Sequence, residues 1–197
     1  MNFLNADDIN KVSPYMVTID PVTGFLYFVT KNGTQLTIDF SEDDLIHSAE
    51  CYQLSINNAN NRPSPRDINV QKTIWAIVAE FFNKNMSALL YICETGDGKQ
   101  EARSRLFSSW FESYEFSNAF TCITTSLTDA EGVFNSATLI IPNVHPKYSE
   151  VLNEFTQTSI ILRDKLYNCK QHNKQYTFSR PARQSALRDF FSPFFSV

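Results

Sequence analysis

Leu89-Leu90-Tyr91-Ile92-Cys93-Glu94-Thr95-Gly96-Asp97-Gly98-Lys99-Gln100-Glu101-Ala102-Arg103-Ser104-Arg105-Leu106-Phe107-Ser108-Ser109-Trp110-Phe111 contains the change of period on which the fold depends. Its first five residues are an apolar run with no polar alternation, which reads as a strand buried on both faces. Gly96-Asp97-Gly98 is turn chemistry. From Lys99 the apolar spacing becomes helical: Arg103, Phe107, Trp110, Phe111 and Tyr114 share a face. Strand, glycine turn and helix follow within one short segment, with a helix expected over about 98–115. Asp97 is the expected N-cap, with Gln100 completing a capping box. Glu101 and Arg105 are spaced as a pair on the wet side.

On the N-terminal side, Gly24 to Thr30 (G-F-L-Y-F-V-T) and Leu36, Ile38 and Phe40 flank Asn32-Gly33. Alternation around Asn-Gly predicts a hairpin with a two-residue turn over 25–40. A shorter strand is expected at 15–19, and another at Cys51–Ile56. Residues 1–13 read as a loose or lightly docked lead-in. Asn57 to Asn69 is rich in Asn and Pro and reads as a loop. Val70, Ile74, Ile77, Val78, Phe81 and Phe82 then form a helical stripe over 70–84. On the C-terminal side, strands are expected at 120–127 and 134–141. A last helix starts with Pro146 at its first position and runs to about 166.

The order is β-β-β-β-α-β-α-β-β-α, which predicts an α+β fold with a mainly antiparallel sheet, about three helices covering one face, and a C-terminal tail. Residues 1–165 read as a single domain. Residues 166–197 differ in composition: Lys170, Lys174, Arg180, Arg183 and Arg188 stand against Asp189 alone, so the segment carries +4 while 1–165 carries −8 of a total of −4. The chain ends F-F-S-P-F-F-S-V, after a possible short helix over 181–191 begun by Ser179 and Pro181. Phe190, Phe191, Phe194 and Phe195 need an apolar surface, on the chain's own body or on a partner, because burying each is worth about 2 kcal/mol.

With 43% hydrophobic residues and 17 Phe the chain has material for a sizeable core. A net charge of −4 argues against general affinity for nucleic acid or anionic lipid; the tail alone would have to supply nucleic-acid binding. No run approaches the roughly 20 apolar residues of a membrane span. The opening M-N-F-L-N-A-D-D has neither the basic region nor the apolar run of a signal segment. Cys51, Cys93, Cys122 and Cys169 are widely spaced, without CxxC, and read as free thiols of a reducing compartment. The expected location is the cytoplasm.

The hairpin, the T-I-W-A-I-V-A-E-F-F helix and the opening stretch together resemble a bacterial family of small proteins of unknown function. The shared motif is carried here by Ile92, Cys93, Glu94, Asp97, Gly98, Lys99, Gln100, Arg103, Phe107 and Trp110. The resemblance covers about 14–165 and excludes the tail. It implies the domain limits and no activity.

No catalytic set stands out. His47, His145 and His172 are unpaired in sequence, Cys169-x-x-His172 has no companion ligands, and neither G-x-S-x-G nor a P-loop occurs. No cofactor, metal or catalytic residue is assigned. The strand-to-helix junction 94–103 remains the alternative, as the site of a small anion- or nucleotide-binding domain or of an enzyme: Lys99 and Arg103 flank a helix N-terminus, beside Glu94 and Asp97, which repel an anion unless a metal intervenes. The reading favoured by the residues is a non-enzymatic interaction or regulatory protein. Its anchors are Phe190, Phe191, Phe194 and Phe195, with Arg183 and Arg188, engaging a protein partner or a second copy.

Overall fold

Seven strands and four α-helices follow one another in a computed structural model of the chain, which describes residues 1–93, 98–114, 117–128 and 133–173. In order they are α1 (Ala6–Asn10), β1 (Thr18–Ile19), β2 (Leu26–Val29), β3 (Gln35–Glu42), β4 (Cys51–Asn58), α2 (Ile68–Lys84), β5 (Ala88–Ile92), α3 (Gln100–Glu112), β6 (Phe120–Thr128), β7 (Phe134–Pro142) and α4 (Tyr148–Asn173). The strands form one sheet in the order β1-β2-β3-β4-β5-β7-β6. Every pairing is antiparallel except β4 with β5, whose parallel alignment uses α2 as the crossover. The fold is the expected α+β class.

β5 explains why the opening stretch has no polar alternation. Leu89 and Tyr91 face one layer of core, and Ala88 and Leu90 face the other. The first layer lies under α1, α2 and α3: Leu26, Phe28, Ile38, Leu54 and Leu89 meet Ile74, Ile77, Phe81 and Phe107. The second lies under α4: Leu90, Leu139 and Ile141 meet Val151 and Phe155, both essentially inaccessible to solvent. Helices therefore cover both faces, where the sequence suggested one. The apolar side of α4 was legible, but periodicity does not say against which face a helix packs.

Several local expectations are corrected. The lead-in is ordered: Asn5 caps α1, its side chain accepting the Asp7 N–H at 2.9 Å, and Ile9 is buried against the core. Between β2 and β3 the turn inside the closing Thr30–Thr34 pair has three residues, 31–33, rather than two. Thr30 and Thr34 close it through the Thr30 N–H to Thr34 carbonyl bond, and Gly33 alone takes the left-handed conformation, at φ 76°. α2 starts at Ile68, because Asp67 caps it: the Asp67 carboxylate accepts the Asn69 N–H at 2.9 Å and the Tyr15 hydroxyl at 2.6 Å. α3 starts later than expected. Its N-cap is Lys99, without a side-chain cap bond, so Gln100 is the first helical residue, while the expected cap, Asp97, lies outside the described residues. Gly98, at φ 71°, prolongs the turn and delays the helix. α4 begins at Tyr148 and continues to Asn173, past position 165. No helix among the described residues is long and apolar enough to cross a membrane.

Candidate functional site

The β5–α3 corner gathers the polar residues that the sequence placed together. Tyr91 and Cys93 project under α3, and the Tyr91 ring stacks on Phe107 with centroids 4.1 Å apart. Phe107 in turn meets Trp75 of α2. The Cys93 N–H donates to the Ser136 carbonyl at 3.1 Å, tying the end of β5 to β7. Ser104 and Ser136 share a buried hydroxyl–hydroxyl bond of 2.8 Å. Arg103, half-buried one turn into α3, places its charge close enough to favour the ionised forms of Tyr91 and Cys93.

Burial outweighs that charge. It pushes the Cys93 thiol up, against the opposing pull of Tyr91, Arg103 and Ser104, and it pushes the Tyr91 hydroxyl up as well. Both groups stay protonated at neutral pH, so Cys93 is not an activated nucleophile. Lys99 is exposed at the start of the helix. The structure thus brings Lys99 and Arg103 to the first turns of α3, while Glu94 and Asp97 lie outside the described residues. Gln100 is buried there, and its Oε1 has no hydrogen-bond partner among the described residues. Glu101 and Arg105 pair as expected, at 2.8 Å on the surface.

A second polar corner went unrecognised in the sequence. Asp43 is buried beside Cys51 at the edge of the α4 layer. Its Oδ1 accepts the Leu45 N–H at 2.7 Å, and Oδ2 has no partner among the described residues. Burial pushes its carboxyl up, the Leu45 bond opposes this and Asp44 adds to it. Burial also pushes the Cys51 thiol up, reinforced by the charges of Asp43 and Glu154. Glu154 of α4 reaches back to accept the N–H groups of His47 at 2.8 Å and Ser48 at 3.0 Å. Burial would push Glu154 up, but these N–H groups help to hold it below the usual range. No spacing rule links Glu154 to His47, so only the fold reveals the pair. Among the described residues no three His, Cys, Asp or Glu side chains converge as a metal site requires.

The third feature is an aromatic cleft between α2, α3 and the end of the sheet. Trp75, Phe82, Phe111, Tyr114 and Phe120 line a space of about 190 Å³, counting the part open to solvent. Trp75 and Tyr114 stack at 4.8 Å, and Phe82 and Phe120 meet at the same distance. The helical stripe through Phe107, Phe111 and Tyr114 signalled one wall of this cleft. Phe120 could not be assigned to it without the sheet order.

Residues 66–157 match DUF6169, a family of unknown function. The DUF6169 span takes in α2, β5, α3, β6, β7 and the first turns of α4, and with them the β5–α3 corner and the aromatic cleft. It lies within the stretch that carries the resemblance seen in the sequence and leaves out both the β2–β3 hairpin and the tail. No curated protein and no solved structure matches the chain. The expected tail helix over 181–191, with Arg183, Arg188, Phe190, Phe191, Phe194 and Phe195, lies outside the described residues.

Proposed function

We propose that this chain is a non-enzymatic interaction or regulatory protein of the bacterial cytoplasm, with the segment 166–197 as its anchor. The observation that carries this reading is the asymmetry of the chain: +4 and four clustered phenylalanines in the tail, against −8 on the body. Phe190, Phe191, Phe194 and Phe195 supply the apolar contact area, and Arg183 and Arg188 favour an acidic receiving surface. The partner is a protein with an apolar groove rimmed by carboxylates, or a second copy of the chain.

The test fuses residues 166–197 to an inert carrier and identifies the proteins it retains, beside a variant with all four phenylalanines changed to Ser. One protein retained by the native tail and lost with the variant supports the reading. Equal recovery on both overturns it.

A second reading places a small anion at the start of α3. It is favoured by one observation: the N-terminus of α3, which attracts anions, has the cations Lys99 and Arg103 within its first turn. Glu94, Asp97, Lys99 and Arg103 would surround the ligand. Phosphate titrated against the melting temperature tests it. A saturable rise that disappears in Lys99→Ala and Arg103→Ala, both still folded, supports the site; an unchanged melting temperature removes it.

A further inference from the structure

The two edges of the sheet differ in kind. At one end β1 has two residues and runs directly into Asp20-Pro21. This is a blunted edge, short and closed by a residue that cannot donate. At the other end β6 has nine residues, F-T-C-I-T-T-S-L-T, with no charge, no proline and mostly β-branched or hydroxyl side chains. Among the described residues β6 pairs with β7 alone. α3 packs over β7, and none of the devices that usually protect an edge strand is present in β6 itself.

The register says which groups of β6 face outward. Phe120 lies opposite Pro142, and the Asn143 N–H donates to the Ala119 carbonyl at 3.0 Å. That bond marks Phe120–Pro142 as a non-hydrogen-bonded pair, as the missing proline N–H requires. Pair types alternate along the ladder, so Cys122–Ile140 and Thr124–Thr138 are of the same type. The 2.9 Å contact between the Thr124 and Thr138 hydroxyls agrees with the closer approach of such pairs. The N–H and C=O groups of Phe120, Cys122, Thr124, Ser126 and Thr128 therefore point away from β7. They form a continuous rail along the sheet edge.

We infer that this rail pairs with the same rail of a second copy, joining two sheets antiparallel through β6. A two-fold axis at Thr124 sets Thr124 opposite Thr124 of the partner subunit, Cys122 opposite Ser126 of the partner subunit, and Phe120 opposite Thr128 of the partner subunit. Every outward N–H then meets an outward C=O, because the rail is its own complement under that axis. The choice of a second copy follows from the rail itself, which is centred on Thr124 and carries no charge. Two copies of an acidic chain repel, and β6 is a nine-residue strand on which self-pairing brings no like charges face to face. Thr124 and Ser126 are exposed, so small hydroxyl side chains line the seam on that face. This contact is separate from the tail and does not depend on it.

Sedimentation velocity of the full chain tests the inference. The native chain is expected at twice the mass of one chain, and Thr124→Lys, which sets two ammonium groups opposite each other at the axis, is expected at one. With Cys122 and Cys169 changed to Ser, Thr124→Cys should cross-link on oxidation and Ser126→Cys should not, because only position 124 meets itself. These two variants, and amide exchange in the native chain, keep the test open if Thr124→Lys fails to fold. In the dimer the amides of Cys122, Thr124 and Ser126 exchange as slowly as those of Thr121, Ile123 and Thr125. A native chain that stays at one mass overturns the inference, even with protected even-numbered amides, since its own tail would then cover the rail. So does a dimer that survives Thr124→Lys but is lost on removing residues 174–197; that result would leave the tail reading in place.

Discussion

Asp43 is where pH should act on this fold. A buried carboxyl with one oxygen bonded to Leu45 and the other without a partner among the described residues holds its proton to higher pH than the unfolded chain does. Between the ordinary aspartate range and that raised value the folded state binds more protons, so stability falls as pH rises, and the penalty persists above it. Asp43→Asn keeps the Oδ1 acceptor and removes the buried charge. Its urea midpoint should exceed that of the native chain at pH about 7, and the gain should shrink as pH falls below the ordinary aspartate value of about 3.9, where the native carboxyl becomes protonated in both states. Glu154 titrates with the opposite sign. Its lowered value stabilises the fold above the unfolded carboxyl range, and that contribution is lost as pH falls through the folded value. His145 is the second residue with a clear expected cost. It is buried, its Nε2 lies 3.1 Å from the Met86 carbonyl, and its Nδ1 accepts the Lys147 N–H at 3.1 Å. His145→Ala leaves the part-buried Met86 carbonyl and Lys147 N–H without their ring partner and should lower unfolding free energy by about 1 kcal/mol, measured by denaturant titration. In the sequence His145 was only one of three unpaired histidines, because its partners are backbone groups, which leave no mark in residue type.

At the scale of elements, the long apolar signals were readable and the short polar ones were not. β5 and α2 stand where their apolar patterns put them, since burial on two faces and a helical stripe each leave a distinctive period. α1 was missed because it has a single buried residue, Ile9, and so no period to detect. The start of α3 was misplaced because Asp97 and Gln100 have the right types and spacing for a capping box, whereas Lys99, which carries no capping signal, stands at the N-cap. The hairpin shows the same limit: Asn32-Gly33 marked the turn, but the loop length is fixed by Thr30 and Thr34, which carry no turn signature. Gly33 provides a test. At φ 76° a Cβ is strained, and an added Cβ would also lie 2.6 Å from the Arg62 guanidinium. Gly24 shares the same φ in open space. Gly24→Ala should cost about 1 kcal/mol from backbone strain alone. Gly33→Ala should cost about the same, because the Arg62 guanidinium it meets ends an exposed, flexible side chain that can swing aside, and two melting curves measured side by side check this.

The whole molecule is two cores on one sheet, and among the described residues α4, with Ile46 of the β3–β4 connection beside it, is the helix that closes the second. Its role is visible in four buried sheet residues, Ala88, Leu90, Leu139 and Ile141, which have no other helix above them among the described residues. Composition and strand order in sequence could not show this. A helix at the end of the chain has the same amphipathic pattern whichever face it takes, and β7 inserts between β5 and β6 only through long-range pairing. The tail beyond α4 was legible only as charge and aromatic content. Treating it as an anchor for another molecule makes a prediction about the body. If Phe190, Phe191, Phe194 and Phe195 serve a partner, they are not part of the chain's own core, and a chain ending at Asn173 should melt cooperatively within a few degrees of the full chain. A chain ending at Lys147 removes Val151 and Phe155, each worth about 2 kcal/mol in burial alone, and uncovers the apolar sheet face as well. That loss is comparable to the whole stability of a small domain, typically about 5–15 kcal/mol, so the shorter chain should show no cooperative transition. Circular dichroism melts of the two truncations separate the alternatives. A large loss of melting temperature on stopping at Asn173 would mean that the four phenylalanines complete the chain's own core rather than reach a partner.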